Sequence, residues 1–465
     1  MSELLDELRK LHTSDDYPFH MPGHKRRNVT GVNLPYEYDI TEINGFDDLH
    51  HANGILRRIE EKASMVYQCA DTALLVNGST GGILSAILGC TKRGDSVLVA
   101  RNCHRSVYHA MMLHELQPTF LYPDETDRIQ ASDIHKQLSE NPQIKAIIIT
   151  SPTYEGVLSH IKEIVDVIQN FSKDIYLIVD EAHGAHLGFH SDAPKSALYH
   201  GADLVIHSLH KTLPAFTQTG LIHANEKAIK TGIWKQIRFY LSVFQSSSPS
   251  YVLMLGIDEC LNYLLRERQT EDCIWQNYYR NINKIRDRLE GLQVLSHKIP
   301  LQQFEHDYDF GKIVISTEKA CINGHLLFQL LREQYQLQLE LYGEHHVLAM
   351  TSIADSECGL ERLANALLEI DTNLMAADTF PNRVYDTLEN RYCMKERYTN
   401  EEEENNKIDI SSLNQKAGKI STCFIYVYPP GIPLVAPGDL ITYEMIQKIT
   451  TCIENGLHVR GLDCC

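Results

Sequence analysis

Apolar residues fall in short, nearly unbroken runs over the first half of the chain. TALLV (72–76), SVLVA (96–100), TFLY (119–122), AIIIT (146–150), YLIVD (176–180) and DLVIH (203–207) are strand-sized and show no alternation of apolar and polar positions. Strands covered on both faces of a parallel sheet have this pattern. GLIHA (220–224) is one more candidate strand. Between these runs the apolar spacing turns helical, as in IKEIVDVIQNF (161–171), and Leu4, Leu5, Leu8 and Leu11 predict a short amphipathic helix at the start. A repeated β-α-β order predicts a doubly wound α/β domain. From about residue 250 the pattern is helical, through YVLMLGIDECLNYLL and WQNYYRNINKIRDRLEGL. A second α/β unit is then expected, with DFGKIVIS (309–316), HLLFQLLREQY (325–335) and HHVLAMTS (345–352). Residues 396–407, ERYTNEEEENNK, have no apolar face and are expected to form an exposed acidic loop. After it, KISTCFIYVYPPGIPLVAPGDLIT combines a strand with two Pro/Gly turns. The expected division is 1–270 for an N-terminal segment and large domain, 271–395 for a small α/β domain, and 396–465 for a C-terminal segment.

Composition narrows the function classes. The formal net charge of −18 over 465 residues argues against nucleic acid or an anionic membrane as partner, since both require a basic surface. The apolar runs are far too short to span a bilayer, and the opening MSELLDELRKLHTSDD lacks the apolar core of a signal peptide. The twelve cysteines form no CxxC pair. A cytoplasmic protein with most cysteines free and buried is therefore expected. The terminal pair Cys464–Cys465 is either a frayed tail or a metal-binding or redox pair.

Sites in open α/β sheets lie at the C-terminal ends of the strands, and three candidate groups fall there. In NGSTGGILSAIL (77–88) a strand passes through small and hydroxyl residues into a helix, whose free N–H groups suit a phosphate. Such turns are also often only structural. The pattern is neither GxGxxG nor GxxxxGK[ST], which disfavours nicotinamide and P-loop readings. Asp180 closes a buried strand and needs a partner, either a pyridinium N–H or backbone N–H groups. Lys211 follows DLVIHSLH. A partly desolvated lysine there can form a Schiff base, or can pair with a phosphate or with Asp180.

The order phosphate turn, strand-end Asp, strand-end Lys resembles that of pyridoxal-phosphate enzymes with the aspartate-aminotransferase fold. FHMPGHK (19–25), DITEINGFDDLHH (39–51), VNGSTGG (76–82), RNCHRSVYHA (101–110), SPTYEG (151–156), DEAHGAH (180–186), HSLHKTLPAFTQ (207–218) and YPPGIPLVAPGD (428–439) together resemble the Orn/Lys/Arg decarboxylase family. The similarity spans about 15–270 and about 415–442, and no motif matches between roughly 275 and 410.

The resemblance implies an α/β fold: a PLP-dependent transferase (fold type I) large domain with a mostly parallel sheet, plus smaller α/β C-terminal domains. It implies pyridoxal 5'-phosphate as cofactor and decarboxylation of a small cationic amino acid (arginine, lysine or ornithine) in polyamine metabolism. By the same resemblance Lys211 is the Schiff-base lysine, Asp180 meets the pyridine nitrogen, and His104 stacks on the ring. Ser79, Thr80, Gly81, Ser208 and His210 hold the phosphate, and His183 sits near the ring or substrate. Thr153 and Tyr154 are candidates to line the pocket. His20 and His24 either fill turns or reach a neighbouring subunit. Large members carry an N-terminal receiver-like domain. This chain starts at the family's short linker, so a homodimer or dimer of dimers is expected rather than a ring. The family's final PGE reads PGD here, at Asp439, which weakens a substrate role for that carboxylate. Aminotransfer, or an aldol or acyl-transfer lyase reaction, is the alternative on the same scaffold. A non-catalytic regulator would be expected to carry a DNA-binding domain or to lack the lysine.

Overall fold

Seven short strands carry the first half of the molecule: β1 (Asp71–Leu75), β2 (Ser96–Ala100), β3 (Gln117–Leu121), β4 (Ala146–Thr150), β5 (Tyr176–Asp180), β6 (Leu204–Ser208) and β7 (Gly220–Ala224). A computed structural model describes residues 2–172, 174–267, 274–298, 307–378, 413–428 and 431–462. The strands form one sheet in the order β1-β7-β6-β5-β4-β2-β3. Pairing is parallel from β6 through β5, β4 and β2 to β3, whereas β7 runs antiparallel to both β6 and β1. The sheet is therefore mostly parallel. β3 begins two residues earlier than its apolar run suggests, at Gln117 and Pro118. As an edge strand it can accommodate a proline that donates no hydrogen bond.

Helices pack onto the sheet through faces already visible in the sequence. Helix Ile161–Phe171 buries Ile161, Ile164, Val165 and Ile168, spaced by three and four residues. Helix Gly78–Cys90 is built mostly from small residues, and so lies close to the sheet. A Cβ at Gly82 would come within 2.7 Å of Leu75 and 3.2 Å of Ile206, and one at Gly89 within 2.5 Å of Ile237. Helix Glu3–Thr13 buries Leu4 and Leu8, with Ser2 as its N-cap.

The chain divides into two compact units: Met1–Tyr278 with Glu305–Asp309 and Ser352–Ala354, and Tyr279–Phe304, Phe310–Thr351 and Asp355–Cys465. The second contains β8 (Ser296–His297), β9 (Lys312–Ser316), β10 (Leu341–Tyr342) and β11 (His346–Met350), in the antiparallel order β10-β11-β9-β8, with helices Gly324–Gln334 and Glu357–Asp378. It also holds a smaller sheet, β13 (Pro433–Val435), β12 (Ile425–Val427) and β14 (Val459–Arg460), backed by helix Tyr443–Glu454 around Ile425, Val435, Ile446 and Ile449. The acidic stretch 396–407 and the Cys464–Cys465 pair lie outside the described residues.

Among the described free cysteines, Cys90, Cys103 and Cys260 are buried, but Cys69 and Cys452 are half-buried and Cys321 and Cys358 exposed. Among the described free cysteines, then, fewer than half are buried, unlike the expectation for the chain. Cys321 lies in a bend and Cys358 in the first turn of helix Glu357–Asp378.

Candidate active site

Three segments converge at the C-terminal ends of the parallel strands. After β1 the backbone turns through Gly78, at φ +67°, where a Cβ would be strained. The Gly78 amide donates to the Gln218 carbonyl at 2.8 Å, which ties this turn to the loop that follows Lys211. Asn77 precedes the helix but does not cap it, because its amide donates to the Phe244 carbonyl at 2.8 Å. The first-turn N–H groups at Ser79, Thr80 and Gly81 are thus left without a side-chain cap, where an anion is favoured.

On the β6 side, Ser208 is fully buried and its Oγ has no hydrogen-bond partner, and the buried Thr212 Oγ1 has none either. A buried hydroxyl left unpaired costs about 1–3 kcal/mol. A phosphate supplies the missing acceptors. His210 Nδ1 and the Thr219 carbonyl are 2.8 Å apart, which anchors the same segment. Burial holds the His210 ring below the usual histidine range.

Asp180 ends β5 and is buried. Burial pushes its carboxyl above the ordinary range, opposed by the charge of Lys211 and by the Ala182 N–H, which donates to Oδ1 at 3.2 Å. A buried carboxylate of this kind gains from a cation placed beside it. Lys211 lies in the short helix Leu209–Thr212 directly after β6, with Nζ 3.0 Å from His183 Nε2. The Tyr154 ring packs on His183 at 4.4 Å between centroids. His104 caps helix Arg105–His114: its Nδ1 accepts from the Ser106 N–H, so a neutral ring carries its proton on Nε2. Burial first, then the charge of Lys211, pushes this imidazole down to about 4. It is an uncharged flat ring near an ammonium.

Lys211, Asp180, His183 and His104 are thus coupled by contact or by charge, and Tyr154 joins them. Ser79, Thr80 and Gly81 follow Gly78, whose bond to Gln218 ties their turn to the loop after Lys211. Other candidates make contacts of their own. Thr153 Oγ1 accepts from the Val157 N–H at 3.1 Å, within its own turn. His20 contacts the Met21 carbonyl, and His24 pairs with Asp39 at 3.0 Å. Asp439 accepts from the Ala436 N–H at 2.9 Å, closing the turn of the final motif. Sequence reading missed Glu181 and His207, a buried pair at 2.7 Å directly behind the strand ends. The available signal was a second acid beside Asp180 and a second histidine in HSLHK.

A mostly parallel sheet with a lysine, an aspartate and an uncapped helix N-terminus at its strand ends is the fold of the PLP-dependent fold-type-I enzymes. The fold matches the crystal structure of the Francisella novicida lysine decarboxylase LdcF, with a TM-score of 0.78 at 18% identity, over 99% of this chain and 79% of that one. The chain belongs to the Orn/Lys/Arg decarboxylase family: residues 3–319 match the family's major domain and 379–456 its C-terminal domain. It is a decarboxylase. The arginine decarboxylase of Bacillus subtilis is 29% identical over 98% of this chain and 94% of its own length. The lysine decarboxylase LdcA of Pseudomonas aeruginosa is 22% identical over 95% of this chain and 74% of its own.

Proposed function

We propose that the protein removes the α-carboxylate of a basic amino acid, with arginine the first candidate among arginine, lysine and ornithine, using pyridoxal phosphate held on Lys211. The observation that carries this reading is the half-buried Lys211 in contact with the buried His183 and within the field of the buried Asp180, just after the strand whose last residue, Ser208, has an unpaired buried hydroxyl. These residues fit the cofactor: an anion cradle of Ser79, Thr80, Gly81, Ser208 and His210, a buried acid for the ring nitrogen, and a neutral ring for its face. Bound there, the cofactor supplies the electron sink for the Cα–carboxylate bond. Asp180 holds a proton on the ring nitrogen, because its own charge is costly in this buried site unless a cation sits beside it. Lys211 Nζ holds the aldehyde carbon, and His183 Nε2 is close enough to exchange a proton with that amine. His104 offers an uncharged ring that does not repel the cofactor as a cation. Arginine is favoured because the Bacillus subtilis arginine decarboxylase matches over nearly its whole length.

A homodimer or dimer of dimers accounts for the exposed Tyr17, Phe19, Met21, Val29, Val32 and Phe216 on the first unit. Light scattering tests this: a strictly monomeric and fully active protein contradicts it. A cytoplasmic role in polyamine formation follows from the substrate class. Among the described residues no helix is long and apolar enough to cross a membrane. Product analysis after incubation with each of the three amino acids decides the substrate. Release of agmatine and carbon dioxide from arginine supports the proposal. Conversion of the cofactor to its pyridoxamine form without carbon dioxide refutes it.

A further inference from the structure

Around Glu181, the residue after Asp180, lies a buried polar chain that runs through His207 and His223 to Thr72. Glu181 is 1% exposed and accepts from three directions: Ser196 Oγ at 2.5 Å, the Ala197 N–H at 2.8 Å and His207 Nε2 at 2.7 Å. His207 is itself held, with Nδ1 3.1 Å from His223 Nε2, and His223 Nδ1 is 2.9 Å from Thr72 Oγ1. With both rings protonated on Nε2, the chain Thr72, His223, His207, Glu181 runs donor to acceptor without a gap. The Tyr67 ring packs on both histidines, at 4.9 and 4.6 Å, and its hydroxyl donates to the Ala185 carbonyl at 2.9 Å. Every member of the chain is thus fixed in place, and Glu181, with the neighbouring Tyr67, bears directly on the turn 180–186.

That turn is shaped around the Glu181 side chain. The Gly184 N–H donates to the Glu181 carbonyl at 2.8 Å, and a Cβ at Gly184 would lie 2.4 Å from Glu181 Cγ. Glycine is required because the Glu181 stem fills the space beneath it. His183, between these two residues, is the one that reaches Lys211 Nζ. We propose that Glu181 is a positioning residue for the catalytic lysine: pinned by Ser196, Ala197 and His207, it sets the turn that presents His183 to Lys211. The inference rests on Lys211 as the cofactor lysine.

A buried network that only stabilised the fold would leave the lysine's titration unchanged, and the test uses this difference. The groups that bear on Lys211 include His183 by contact and Asp180, His104 and His210 by charge; Glu181 in turn faces His207 and acts on His200 by charge. The measurement is the pH midpoint of the visible absorption band of the full-length, pyridoxal-phosphate-loaded protein, with kcat, KM and melting temperature on the same preparations. Glu181→Gln keeps the volume but replaces the carboxylate oxygen that accepts from His207. We expect its midpoint to move by about half a pH unit or more and kcat to fall about tenfold, with KM within about twofold. Ser196→Ala, a milder change that removes one hydrogen bond to Glu181, should move the midpoint in the same direction by less. An unchanged midpoint in folded Glu181→Gln overturns the proposal. If that variant does not fold, Ser196→Ala decides alone, and an unchanged midpoint there overturns it too. Lys211→Ala separates the two claims: if it keeps the covalent band, the lysine assignment fails, whereas a lost band with an unmoved Glu181→Gln midpoint refutes only the role of Glu181.

Discussion

Replacing His104 with asparagine should make the protein more resistant to acid by an amount that follows from its surroundings. The imidazole is held at about 4 in the folded chain, against an ordinary value of 6.5. As pH falls below 6.5 the unfolded chain takes up a proton that the folded chain refuses until about 4. Stability therefore falls with pH through that window, and the loss is complete below the folded value. Between about pH 7 and about pH 4.5 this one group removes about 2 kcal/mol. Asparagine carries no charge at any pH in this range, and its side-chain oxygen can take over the cap at the Ser106 N–H. Urea unfolding of His104→Asn and wild type at both pH values measures the effect. The drop in stability on acidification should be about 2 kcal/mol smaller in the variant. His297 in the second unit is also pushed down to about 4 by burial, so some acid lability should remain in both proteins. Equal drops would show that the folded ring takes up its proton as readily as the unfolded one, and the account of an imidazole held neutral by burial would be wrong.

Other substitutions test other parts of the site. Asp180→Asn should lower kcat by roughly a hundredfold or more while the cofactor-free protein melts no lower than wild type, because burial already disfavours that charge. A lower melting temperature with near-normal turnover in the folded fraction would make Asp180 a structural carboxylate. Gly82→Ala should cost about 1–3 kcal/mol by calorimetry, since the new methyl meets Leu75 and Ile206. A neutral result would mean that the helix carrying the anion cradle is not seated closely on the sheet.

Much of this architecture was legible because buried parallel strands carry their own signature. β2, β4, β5 and β7 coincide with the apolar runs read from the sequence, and helix Ile161–Phe171 matches its apolar spacing end to end. The antiparallel direction of β7 was not legible. It depends on the short return through Leu213–Thr219, and an apolar strand reads the same in either direction. Asp180 and Lys211 could be found because a charge at the end of a buried strand has few inexpensive explanations. The network behind them could not. Thr72 and His223 are 151 residues apart, and a lone histidine in an apolar strand reads as an ordinary core residue. The hydrogen bonds by which Thr153 and Asp439 close their own turns are likewise not revealed by spacing alone.

The central claim is that Lys211 holds the cofactor. Reduction of the loaded protein with borohydride, followed by proteolysis and peptide mass spectrometry, tests it most directly. The account predicts loss of the yellow colour and one phosphopyridoxyl adduct, on Lys211, which is absent from Lys211→Ala. A reducible adduct on any other lysine, or an undiminished one in Lys211→Ala, would contradict it.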